Sequence, residues 1–99
     1  MQPEEIAEQQ RAILAVHGAK ARHIESVAVR EVFRGLVAWE GDVEVYELLC
    51  HPKAKRCYAW SYEDGGQIKT VAVLEIPPVD SAETAVKVAI AAQAKKLRE

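Results

Sequence analysis

"CYAWSYEDGGQIKTVAVL", residues 57 to 74, decides how this chain folds. Tyr58, Trp60 and Tyr62 alternate with Cys57, Ala59 and Ser61, a period of two that belongs to a strand, and β-branched residues resume the pattern after Gln67. Between them "EDGGQ", residues 63–67, carries two glycines that permit the positive φ angles of a tight hairpin. The stretch reads as two antiparallel strands, near 56–63 and 67–76.

Toward the N-terminus the same periodicity reaches back to Ile24. It predicts two more strands, near 26–39 and 42–50, with turns at "EGD" (40–42) and "HPKAK" (51–55). Gly35 inside the first of these reads as a bulge or bend, the alternative being that "LVAW" (36–39) is separate from "SVAVREVF" (26–33). A turn at 40–42 sets Trp39 against Asp42 and Arg34 against Glu47, an opposite-charge pair. Links this short imply an antiparallel meander.

The two ends read as helices. Pro3 suits the first helical position, Glu4 and Glu5 favour the positive end of the dipole, and Gly18 supplies a left-handed stop. Ile6, Gln10, Ile13, Leu14 and His17 fall on one stripe between them. His17, on the last turn, reads as a capping or partly buried side chain. After "IPPVD" (76–80), Asp80 and Glu83 form a capping signature, and Ala82, Ala85, Val86, Ala89, Ile90, Gln93 and Leu97 make the inner face. The expected fold is therefore a single α+β domain over residues 1–99, ordered αββββα, with both helices on one face of a four-stranded antiparallel meander in two layers.

Composition narrows the function. The 99 residues can bury roughly 60 to 65% of the surface of the unfolded chain, so no metal or disulfide is needed to staple the core. Thirteen basic against fifteen acidic side chains give a net charge of −2, which offers no global attraction to nucleic acid or anionic lipid. The opening "MQPEEIAEQQ" lacks the basic and apolar regions of a signal peptide, and no apolar run approaches the roughly 20 residues of a membrane span. A cytoplasmic protein with reduced cysteines and no membrane contact is expected.

Alanine-rich helices pack closely on small residues, so both are expected over the face with Cys57, Ala59, Ser61, Thr70, Ala72 and Leu74. That leaves Tyr58, Trp60 and Tyr62 on a bare face with Val45, Val71 and Val73, and these six are the candidate interface residues. Such a surface is too apolar for solvent. It predicts a non-enzymatic interaction module, a homodimer or a partner-docking domain, with no cofactor.

Two rival functions come from "CHPKAKRCYAW", residues 50–60. Cys50, His51 and Cys57, with His17 or His23, hold metal-ligating atoms, yet C-H-x(5)-C matches no strong zinc spacing, and half-buried thiols at strand ends are the expectation. Lys53, Lys55 and Arg56 make a basic loop beside the aromatic stripe, suited to phosphate and stacked bases. No phosphate-binding glycine loop, nucleotide fingerprint or serine elbow occurs, and Glu31, Glu44, Glu47 and Glu75 read as solvent-facing strand positions, so no enzyme is expected.

In order of elements, "VYELLCHPKAKRCYAWSY" (45–62) and the final alanine-rich helix resemble double-stranded-RNA-binding domains over about half the chain. The resemblance is one of topology and implies RNA binding through the last helix. That helix opens with Asp80, Ser81, Ala82 and Glu83 where the family carries lysines, and the strand over 22–39 is additional.

Overall fold

The computed structural model describes residues 3–98. The elements are α1 (Pro3–His17), β1 (Lys20–Phe33), β2 (Leu36–Leu49), β3 (Arg56–Asp64), β4 (Gln67–Leu74) and α2 (Ala82–Arg98). All four strands form one antiparallel sheet in the order β1-β2-β3-β4, the α+β meander expected.

Both helices start and stop for local reasons. Gly18, at φ +70°, closes α1 by donating its N–H to the Leu14 carbonyl at 2.9 Å. The cap of α2 falls one residue later than the Asp80 signature suggests. Ser81 Oγ accepts from the Thr84 amide at 3.2 Å, and Thr84 Oγ1 accepts from the Ser81 amide at 2.9 Å. The pair forms a reciprocal box around a helix whose first bond runs from Ala85 to the Ser81 carbonyl.

The first hairpin turns at Arg34 and Gly35, not at residues 40–42. Both have positive φ, 54° and 78°, as a two-residue primed turn demands, and Phe33 faces Leu36 directly. Gly41 lies within β2 opposite Val29, and Trp39 pairs with Glu31. Glu47 meets Arg22 at 3.0 Å instead of Arg34. This register is set by burial: it stacks Val27 on Val43 and puts Val29, Val43 and Val45 on one face. The irregular positions are Ile24 and Ala38, which the β1–β2 ladder skips.

The helices lie on opposite faces, giving three layers. Ile6 and Ile13 of α1 pack on Tyr46, Leu48, Cys57, Ala59, Ala72 and Leu74, the small-residue face expected. Helix α2 covers the other face: Ala82, Ala85, Val86 and Ala89 lie over Val43, Val45, Tyr58, Trp60, Val71 and Val73. The correction is one of volume. Alanines leave space under α2 that tyrosine and tryptophan fill, while the isoleucines of α1 fill space over alanine and cysteine, so each interlayer gap pairs large with small.

Helix α1 also caps both sheet edges. Gln10 Nε2 donates to the Ala21 carbonyl of β1 at 3.0 Å, and His17 Nε2 donates to the Ala72 carbonyl of β4 at 3.0 Å.

Candidate interaction surface

Five of the six expected interface residues are not open. Tyr58, Trp60 and Val45 are buried beneath α2, and Val71 and Val73 are partly buried against the same cluster. The expected bare aromatic face is therefore core. Tyr58 donates its hydroxyl to Glu75 Oε2, and burial together with that carboxylate raises its pKa. Only Tyr62, 43% exposed, projects beyond the cover of α2.

The cysteine loop does not assemble a ligand set. His51 Nδ1 accepts the backbone amides of Lys53 at 3.0 Å and Ala54 at 2.9 Å, so the imidazole caps its own turn. Cys57 pairs with Tyr46 across the sheet rather than with Cys50, and both thiols are free. Burial pushes the Cys57 thiol up to about 12, which keeps it protonated and unreactive. Among the described residues no group of three His, Cys, Asp or Glu side chains is placed to hold a metal ion.

Lys53, Lys55 and Arg56 are exposed, whereas Tyr58 and Trp60, which follow them in sequence, are buried beneath α2. Arg56 lines a cleft at the start of α2 together with Tyr58, Glu25, Asp80 and Glu83.

Sequence reasoning missed the buried polar chain on the α1 face. Glu44, read as solvent-facing, is 1% exposed. Its Oε1 accepts from His23 Nε2 at 2.7 Å and from the Ser26 hydroxyl. Beside it the Tyr46 hydroxyl donates to Gln9 Oε1 at 2.6 Å, and Gln9 Nε2 donates to Ser61 Oγ at 3.1 Å. Burial first, then the Glu44 charge, raise the pKa of Tyr46. Ser26 and His23 bond the same carboxylate oxygen, an arrangement that ties β1 to β2. The one signal for it was the unbroken "VEVY" inside a strand, where Glu44 sits on the same side as Tyr46.

The open part of the molecule is where the sheet divides. β1 and β2 pair along their whole length, and β3 and β4 pair from Cys57–Leu74 to Asp64–Gln67. Between the two hairpins, however, the register covers only Glu44–Ala59 to Glu47–Arg56. Among the described residues the paired register stops at Glu44 and Ala59, and the two hairpins run on from there as the prongs of a fork. One prong, the β1–β2 arm, ends in exposed apolar side chains: Leu36 at 75%, Val32 at 52% and Val37 at 48%. The other carries Tyr62 and Ile68, also exposed.

Charge is uneven around this fork. Alternation along each strand from Glu44 and Ala59 puts Asp42 and Glu40 of β2, and Ser61 and Glu63 of β3, on the α1 face. Glu5 and Glu8 of α1 join Ser61, Tyr62, Glu63 and Ile68 around a concavity of about 280 Å³. Arg30 pairs with Glu40 at 3.3 Å and Arg11 with Glu8 at 3.9 Å. Among the described residues Glu5, Asp42 and Glu63 have no ion pair. No helix among the described residues is long and apolar enough to cross a membrane. No protein-family model, no curated protein and no solved structure matches this chain.

Proposed function

We propose that the chain is a small, non-enzymatic interaction module of the cytoplasm that docks another polypeptide along the free arm of its first hairpin. The observation that carries this reading is the fork: residues 36–43 of β2 run on beyond the last β2–β3 pair and end in the exposed Leu36 and Val37. A strand edge without a partner is a template for pairing, and apolar side chains beside it supply the contact area. The homodimer expected from the aromatic stripe belongs to the same reading, with the contact moved from Tyr58 and Trp60 to the arm. Two free thiols fit a reducing compartment.

Selection of a random peptide library on the immobilised protein tests the reading. It is expected to return extended sequences that bind wild type and are lost from a Leu36→Lys/Val37→Lys double variant whose circular dichroism is unchanged. Binders indifferent to those two substitutions, or no binders at all, would overturn it.

A further inference from the structure

We infer that the inner edge of β2 in the fork takes an extended basic segment of a partner protein, one whose side chains alternate between lysine or arginine and an aliphatic residue. This inference rests on the docking arm proposed above and names the chemistry of what docks there.

The argument starts from the backbone. Residues 36–42 of β2, exposed or half-exposed, are not paired with β3, so an incoming segment gains main-chain hydrogen bonds if it is extended. An extended segment sends successive side chains to opposite faces. Those faces differ here. On the α2 face it meets the rings of Trp39, partly buried, and Trp60, whose centroids are 5.7 Å apart, with the exposed Tyr62 farther along. On the α1 face alternation places Asp42 on β2 and Glu63 on β3, Glu63 shares a concavity with Glu5 of the helix, and among the described residues none of the three carboxylates has an ion pair. Apolar residues suit the first face and cations the second. An acidic segment would meet like charge on three elements at once.

The test uses the full chain and a ten-residue peptide alternating lysine and valine, followed by calorimetry and amide hydrogen exchange. Binding is expected to protect the amides of residues 36–42, and to vanish when the peptide's backbone amides along one edge are N-methylated. Asp42→Lys/Glu63→Lys, both at exposed positions, is expected to weaken binding by about tenfold or more with the melting temperature unchanged. Binding that survives N-methylation, or protection elsewhere on the molecule, would overturn the inference. Equal affinity for a threonine–valine peptide would remove the basic partner and leave the docking arm standing. A stable dimer that already protects residues 36–42 without peptide would assign the edge to a second copy and overturn it. Should the library selection return Leu36-dependent binders while the lysine–valine peptide fails, the inference falls and the docking arm remains.

Discussion

One strand shows both halves of this protein. From Val43 to Tyr46, β2 is buried at four successive positions, although a strand exposes alternate residues when only one face of its sheet is covered. Each face there has its own helix. From Leu36 to Asp42 the same strand is exposed or half-exposed, pairs only with β1 and stands clear of β3. The contrast teaches that burial is concentrated at one end of the element: the closed end holds the fold together, and the open end, where docking is proposed, contributes little to the core.

The largest way to break this comparison is Trp60→Ala. At 4% exposure, beneath α2 and against Trp39, the indole is core, and its loss is expected to cost about 3–5 kcal/mol. That is a large share of the stability of a small domain, so the melting transition should collapse or disappear. Leu36→Lys at the open end is expected to change stability by no more than about 0.5 kcal/mol. Thermal melts of the two variants give the comparison directly. A Trp60→Ala protein that melts with wild type would mean that α2 does not cover this face.

How far the sequence carried this picture depends on the scale of the pattern involved. Element order and strand type were legible, because alternation at Cys57–Leu74 and the caps at Pro3 and Gly18 are local. The first turn was not. "EGD" looks like a turn and "RG" less so, and the choice was made by pairing Val27 with Val43 across the sheet, a non-local term. Gly35 had signalled the irregularity, and the separate reading of "LVAW" was the right one. The side taken by α2 was equally hidden, since an alanine-rich helix can sit on small residues or make room for large ones. Glu44 escaped because its burial depends on His23 and Ser26, brought beside it only by the corrected register. Of the six expected interface residues, Tyr62 alone ended on the open prong.

A smaller effect sharpens the contrast at the point where the sheet divides. Glu44 is the last β2 residue paired with β3, and among the described residues its carboxylate accepts from His23 and Ser26. Glu44→Gln removes the charge while keeping the shape, and leaves at least one of those donors with a weaker acceptor. The expected cost is about 1–3 kcal/mol, measured by urea unfolding. Glu40→Gln, four residues toward the open end and 65% exposed, should be close to neutral. If both substitutions cost the same, the boundary between closed and open halves does not lie at Glu44.

The smallest expected effect lies at Gly41, on the open side of that boundary. Its φ is not in the left-handed region, so alanine is allowed by the backbone and by itself stabilises by about 0.4–1 kcal/mol through the unfolded chain. Against this, a Cβ there would stand 3.0 Å from Cη2 and 3.1 Å from Cζ2 of Trp39, closer than carbon atoms rest. The indole cannot simply retreat, because Trp60 lies beside it. Gly41→Ala is therefore expected to destabilise by less than about 1 kcal/mol, with a change in near-ultraviolet circular dichroism as the tryptophan pair shifts. In a Trp39→Val background the contact is gone, and the same substitution should become stabilising. That reversal of sign, read from a double-mutant cycle, isolates the ring contact from the backbone effect. If Gly41→Ala has the same effect in both backgrounds, Trp39 does not fold back over Gly41, and the α2 face of the fork is more open than the ring contact implies.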